Sequence, residues 1–243
     1  MKIGIIPARY ASTRFPGKPL VSIQNKPMIQ HVYERCKDAH LDDLYVATDD
    51  ERIKSCVENF GGKVIMTDSR HPSGTDRCAE AARILHLRNL DLVINIQGDE
   101  PFIRKEEINL LTNLFEKQKV QIATLVKSIS KEEECHDPNK VKVVFTNTHR
   151  VLYFSRGPIP YLSEVHDKNF QLLTQTVYKH IGIYAYRNEI LQRITKLPVS
   201  KLEEIEKLEQ LRWLENDFTI HVEICHHESI AIDTPEDLKL IDN

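Results

Sequence analysis

Arg9, Arg14 and Lys18 hang from one short stretch, Ile5-Ile-Pro-Ala-Arg-Tyr-Ala-Ser-Thr-Arg-Phe-Pro-Gly-Lys-Pro-Leu20. Guanidinium groups offer forked donors to phosphate oxygens, and a lysine adds a mobile point charge. Pro7, Pro16 and Pro19 fix their own φ angles and lower the entropy of the free loop, while Gly17 permits positive φ or close approach of a ligand. The stretch predicts a polyanion cradle. It is not a Walker A loop, because Gly17-Lys18 is followed by Pro19, and no Gly-x-Gly-x-x-Gly is present. Charge alone fits a solvated basic loop equally well. Placement directly after an apolar strand favours the cradle.

Two carboxylates could complement it. Asp99 closes Gln97-Gly-Asp-Glu-Pro after an apolar run, and Asp233 precedes Thr234-Pro-Glu-Asp-Leu. Magnesium takes carboxylate, water and phosphate oxygens, commonly with only one or two protein carboxylates. Asp99 reads equally as turn chemistry and Asp233 as a turn or capping acid. The histidines offer less. No His-Glu-x-x-His occurs, and the adjacent His226-His227 lack helical ligand spacing and read as surface residues.

The elements that must position these groups alternate. Residues 2–8, 43–49, 63–67 and 92–96 read as strands, while 27–39, the segment bearing Ile53, Cys56, Val57 and Phe60, and 75–87 read as helices, the second stopped by Gly61-Gly62. Such alternation implies a largely parallel sheet with right-handed crossovers and a ligand rim at the strand carboxyl ends. The cations after the first strand and Asp99 after the fourth should therefore share a rim. Residues 122–129, 141–146, 151–155 and 181–187 are β-branched or aromatic runs without clear helices between most of them, a more antiparallel extension. The polar stretch 163–176 reads as a mobile loop over the site or as a plain surface connection. A Ser200/Glu203 capping box opens one helix carrying Leu202, Ile205, Leu208, Leu211 and Leu214; a strand at 220–224 and a last helix capped by Thr234 follow.

The chain of 243 residues, 41% hydrophobic, is long enough for one large core, and a single domain over 1–243 is expected. A formal net charge of -3 provides no global field for nucleic acid, so that partner is excluded. Cys36, Cys56, Cys78, Cys135 and Cys225 are odd in number and scattered, which predicts reduced thiols, not a disulfide frame or zinc site. No signal peptide or membrane-spanning run is apparent, and the expected location is cytoplasmic, with no membrane partner.

With the opening stretch, the blocks Val46-Ala-Thr-Asp, Ser73-Gly-Thr-Asp-Arg, Gln97-Gly-Asp-Glu-Pro, Tyr153-Phe-Ser-Arg, His180-Ile-Gly-Ile-Tyr, Leu208-Glu-Gln-Leu-Arg and Asp233-Thr-Pro-Glu-Asp-Leu follow in order from Lys2 to about Leu240. In this the chain closely resembles the 3-deoxy-manno-octulosonate cytidylyltransferases, or CMP-Kdo synthetases. The resemblance implies a three-layer, Rossmann-like α/β nucleotidyltransferase sheet, mostly parallel, with a β-rich antiparallel extension at about 122–187 for sugar binding and dimerisation. It implies a homodimer that joins CTP to the eight-carbon 2-keto sugar acid Kdo, giving CMP-Kdo and pyrophosphate for lipopolysaccharide synthesis. By the same resemblance Asp99 and Asp233 hold Mg2+, and Arg9, Arg14 and Lys18 neutralise the triphosphate. Lys18, Arg9, Asp99 and Asp233 form the catalytic set. The Ala8 backbone, Ser73, Gly74 and Gln97 form the cytosine pocket; Arg156, His180, Tyr184, Glu209 and Gln210 hold the sugar, with Arg156 physically the best carboxylate partner.

Without the resemblance, His180 and Tyr184 read as half-buried strand residues, and Glu209 and Gln210 as solvated helix positions. Asp76, Gly157 and Lys179 depart from residues frequent in relatives, namely Glu, Ala and Arg. These departures bear on the acceptor, since relatives using 8-amino-Kdo share nearly all the motifs. Sialic acid activation and a non-catalytic nucleotide-binding regulator are the other readings. The Tyr153 and His180 blocks favour Kdo over sialic acid, and retention of Lys18, Asp99 and Asp233 argues against a pure regulator.

Overall fold

A computed structural model describes residues 1–11, 15–117, 120–161, 176–227, 232 and 237–238. Arg14, Asp233, the stretch 162–175 and the Thr234 cap lie outside the described residues. The chain divides into two compact units, Met1–Thr112 with Ala185–Thr195 and Ser229–Asn243, and Asn113–Tyr184 with Lys196–Glu228.

The first unit is the expected alternation. Strands β1 (Lys2–Ala8), β4 (Asp43–Thr48), β5 (Val64–Met66) and β6 (Leu92–Asn95) pair in parallel in the order β6-β1-β4-β5. Their β-branched runs are buried on both faces, as helix-covered parallel strands require: Ile3, Ile5, Ile6, Val46, Val93 and Ile94 are each no more than 1% exposed. Between β1 and β4 come a short hairpin, β2 (Ser22–Ile23) and β3 (Lys26–Pro27), then α1 (Met28–Cys36). Helix α2 (Glu51–Asn59) is capped by Asp50, whose side chain accepts the Arg52 N–H, and α3 (Gly74–Ile84) is capped by Ser73. Helices α1 and α3 cover opposite faces of β1. Pro7 meets Gly74 of α3, while Ile6, its neighbour on the other face, shares the surroundings of Gly98 with Ile29 of α1.

Helix α4 (Lys105–Lys117) follows β6, with Ile108, Leu111, Leu114 and Phe115 buried. The second unit contains β7 (Ile122–Ser128), α5 (Glu132–His136), β8 (Lys142–Phe145), β9 (Val151–Ser155) and most of β10 (Tyr178–Arg187). Strand β8 pairs antiparallel with both β9 and β10, giving the expected antiparallel component. After β10, α6 (Asn188–Ile194) belongs to the first unit.

One expectation is corrected. The helix predicted from Ser200 is two helices, α7 (Lys201–Glu206) and α8 (Gln210–Glu215), separated at Lys207, which adopts φ 54°. The capping box at Ser200 and Glu203 is present. Leu208 and Leu211 are buried, but Ile205, read as part of the same stripe, is 77% exposed. Strand β11 (Ile220–Ile224) then pairs in parallel with β7. None of the five cysteines forms a disulfide. Among the described residues no helix is long and apolar enough to cross a membrane.

Candidate active site

In the first unit the loop after β1 and the loop after β6 leave adjacent strands, because Ile5 is the register partner of Asn95 and the Ile96 N–H donates to the Ile5 carbonyl at 2.9 Å. Between them opens a cavity of about 220 Å3. Ala8, Arg9, Lys18, Ser73, Gly74, Gln97 and Asp99 line it, so every described residue expected for the nucleotide side is brought together. The expected rim is found as a direct contact: Lys18 Nζ donates to Asp99 Oδ2 at 2.8 Å. Lys18 reaches it from a 3-10 turn, Lys18–Leu20, entered through Gly17 at φ 72°, where positive φ suits glycine. Gly98 lets the second loop lie against β1, since a Cβ there would sit 3.2 Å from the Pro7 carbonyl oxygen.

Ser73 is engaged by its own helix. Its hydroxyl donates to Asp76 Oδ2 at 2.7 Å and accepts the Asp76 N–H at 3.2 Å, so Asp76 orients the Ser73 side chain at the cavity wall. Two cavity residues were missed by sequence reasoning. Arg77 lies in the Ser73–Arg77 block and is only 3% exposed; it donates to Thr67 Oγ1 at 2.5 Å and pairs with Asp49 Oδ1 at 3.1 Å. The readable signal was an arginine among the apolar positions of α3, a placement that demands a buried acid or acceptor. His71, paired with Glu80 at 2.5 Å, is the other.

For a metal, Asp99 supplies a carboxylate on the wall that also carries Arg9 and Lys18. One hard oxygen donor beside two cations fits magnesium held jointly by protein and substrate phosphates. The Ile232 N–H donates to the Asp99 carbonyl at 3.0 Å, tying the residue that precedes Asp233 in sequence to the same loop. Among the described residues no cluster of three or more metal-ligating side chains occurs.

The five expected sugar residues all lie in the second unit. His180 packs between aromatic rings, with centroids 5.2 Å from Phe154 and 5.2 Å from Tyr184. Its Nε2 is 2.9 Å from Thr124 Oγ1, and that hydroxyl also lies 2.8 Å from the Ile183 carbonyl and 3.1 Å from that of Ile181. With that hydroxyl proton assigned to a carbonyl, Nε2 is assigned as the protonated nitrogen and Nδ1 as the acceptor. Burial pushes the imidazole down to a pKa of about 3, which keeps it neutral. Burial, and secondarily the Glu209 carboxylate, raises the Tyr184 phenol well above its ordinary value.

Gln210 is 6% exposed, not a solvated helix position, and Glu209 is half-buried, 4.0 Å from the Arg212 guanidinium. Arg156 is more committed than its expected role as carboxylate partner suggests. Among the described residues its guanidinium donates to the carbonyls of Glu206 at 2.7 Å, Pro138 at 2.9 Å and Lys207 at 3.3 Å, which engages three of its five N–H groups. Sequence reasoning also missed Trp213, the one tryptophan, whose ring meets Tyr184 edge-on at 5.3 Å.

A parallel α/β sheet with a cation-and-carboxylate cradle at its strand ends is the architecture of a nucleotidyltransferase, and a cytidylyltransferase family model matches residues 3–224. A 3-deoxy-manno-octulosonate cytidylyltransferase from Thermodesulfovibrio yellowstonii is 54% identical over 98% of this chain and 95% of its own. An 8-amino-3,8-dideoxy-manno-octulosonate cytidylyltransferase from Shewanella pealeana is 52% identical over 97% and 95%. A solved structure of CMP:2-keto-3-deoxy-manno-octonic acid synthetase complexed with CTP superposes with a TM-score of 0.90 at 42% identity, over 99% of this chain and 96% of that one. The chain belongs to the 3-deoxy-manno-octulosonate cytidylyltransferase family.

Proposed function

We propose that this protein transfers CMP from CTP to Kdo, releasing pyrophosphate, as a magnesium-dependent step in lipopolysaccharide synthesis. The observation that carries the reading is the Lys18–Asp99 contact on the wall of the cavity that also holds Arg9, Ser73, Gly74 and Gln97.

The anomeric hydroxyl of Kdo attacks the α-phosphorus of CTP, a new P–O bond forms, and the bond to the bridging oxygen of pyrophosphate breaks. Negative charge grows on the leaving group. Arg9, Arg14 and Lys18 are assigned to neutralise it, which lowers the barrier mainly by electrostatics and alignment. The Ala8 backbone, Ser73, Gly74 and Gln97 are assigned to the cytosine. Asp99 and Asp233 would hold Mg2+, which supplies charge neutralisation between the phosphate oxygens when bound. Arg156, His180, Tyr184, Glu209 and Gln210 are assigned to the sugar acid. Neutral His180 is assigned as an acceptor, through Nδ1, for a sugar hydroxyl, and Arg156 is assigned to the sugar carboxylate. The family and the apolar β-rich region at about 122–187 support a homodimer, and the biosynthetic role supports a cytoplasmic location.

8-Amino-Kdo is the alternative acceptor, carried by the 52% identity to the Shewanella enzyme beside the 54% identity to the Thermodesulfovibrio one. Pyrophosphate release from CTP and magnesium, with Kdo, 8-amino-Kdo and sialic acid offered in parallel, separates the readings. Release with Kdo is expected. Release only with the amino sugar reassigns the acceptor, and release with none overturns the enzyme reading.

A further inference from the structure

We propose that Tyr10 and Arg52 form an anchor that positions the cationic loop, making Tyr10 a positioning residue for the nucleotide cradle. The guanidinium carbon of Arg52 lies 3.3 Å from the centroid of the Tyr10 ring, a face-on cation–π stack. Arg52 is itself fixed. Its Nε donates to Asp50 Oδ1 at 2.9 Å and its Nη2 to Asp50 Oδ2 at 2.6 Å, a two-pronged fork that sets the plane offered to the ring.

Tyr10 is also held from the other side. Its carbonyl accepts the Gly17 N–H at 3.0 Å, and a Cβ on Gly17 would sit 3.2 Å from the Tyr10 ring. Gly17 caps the turn that begins with Lys18, and Lys18 contacts Asp99. A chain of contacts therefore runs from α2, through Arg52, Tyr10, Gly17 and Lys18, to the carboxylate at the rim. Arg9, which lines the cavity, adjoins Tyr10 in sequence.

Helix α2 alone gives no reason for an arginine at position 52. It falls in the first turn, where the helix dipole favours anions and disfavours cations. Asp50 offsets that charge, and the flat guanidinium gains its use from the tyrosine face, which an ammonium would not match. Rigidifying a binding loop in its occupied conformation raises affinity by lowering the ordering cost on binding. The anchor supplies this to the loop that carries Arg9 and Lys18 to the cavity.

This inference rests on the cradle binding CTP, and the test separates the two. Wild type, Arg52→Ala, Tyr10→Leu and Tyr10→Phe are compared in amide exchange at Gly17 without nucleotide, CTP dissociation constant, and KM and kcat for CMP transfer. Arg52→Ala and Tyr10→Leu should speed Gly17 exchange and raise both the CTP dissociation constant and its KM about fivefold, with kcat little changed. Tyr10→Phe keeps the ring face and should match wild type in the exchange and binding readouts. Unchanged Gly17 exchange in Arg52→Ala and Tyr10→Leu overturns the anchor. Faster exchange with unchanged CTP affinity overturns its role in positioning. Wild-type protein that binds no CTP overturns the cradle and with it the positioning role, while the Gly17 exchange still decides whether the stack holds the loop.

Discussion

Lys18 Nζ stands 2.8 Å from Asp99 Oδ2, so the cation assigned to the leaving group and the carboxylate assigned to the metal neutralise each other across one rim. Neither is fully buried: the Lys18 side chain is 12% exposed and that of Asp99 34%. Partial exposure keeps the pair separable, because a contact in reach of water is worth little net energy and a triphosphate can compete for the ammonium.

Lys18→Ala should therefore lower the single-turnover rate of CMP transfer by roughly 10²–10³, the effect of removing one preorganised electrostatic donor. The fold should be unaffected. Rapid-quench measurement with enzyme in excess is the check, and an unchanged rate would place Lys18 outside the mechanism.

Thr124→Val should raise the KM for the sugar about tenfold while leaving the KM for CTP near wild type. Valine keeps the shape but removes the oxygen that accepts from His180 Nε2, stranding a half-buried donor and freeing the tautomer. Steady-state kinetics with each substrate varied in turn reads the split. Equal changes in both constants, or none, would contradict the assignment of Nδ1 to the sugar.

Acid should destabilise the protein in a window that His180 helps to set. Its folded pKa of about 3 lies below the ordinary 6.5, so as pH falls below 6.5 the unfolded chain takes up a proton that the folded chain resists. Stability is full above 6.5 and is lost progressively towards 3. Burial shifts His221 in the same direction. Lower in the range Glu134 contributes, where burial is outweighed by Lys140 and Lys179 and the carboxyl is held at about 2, so its stabilisation fades as pH falls from 4.5 through that value. Denaturant midpoints at about pH 7 and 5 should fall for wild type and fall less for His180→Gln. Equal drops in the two proteins would show that His180 is not held neutral by the fold.

The strand–helix alternation of the first unit and its parallel sheet could be read because their signals are local. Apolar runs such as Ile3–Ile6 and Val93–Ile96, separated by helical stripes, point to a covered parallel sheet whose rim carries both loops, and the pairing of β1 with β6 then brings Lys18 to Asp99. What escaped depends on distant partners. Nothing between Ser200 and Leu214 marks a break, since neither glycine nor proline interrupts the leucine spacing. The break at Lys207 accompanies a capture by another strand: Arg156 takes the Glu206 and Lys207 carbonyls, and the Glu206 carboxylate accepts from Ser155 and from the Arg156 N–H. Arg77 escaped for the same reason, because Asp49 and Thr67 lie on other elements. The base and sugar assignments came from family blocks, since an alternating His180 and Tyr184 pattern on a strand looks the same whether the residues pack or bind.

The most direct measurement is single-turnover transfer of label from α-phosphate-labelled CTP to Kdo in magnesium, by wild type and Asp99→Asn, with CTP binding measured alongside. Wild type should yield labelled CMP-Kdo and pyrophosphate in equal amounts. Asp99→Asn should transfer at least about 10²-fold more slowly, as expected for loss of a group that stabilises developing charge, while still binding CTP. Transfer by Asp99→Asn at the wild-type rate would contradict the account.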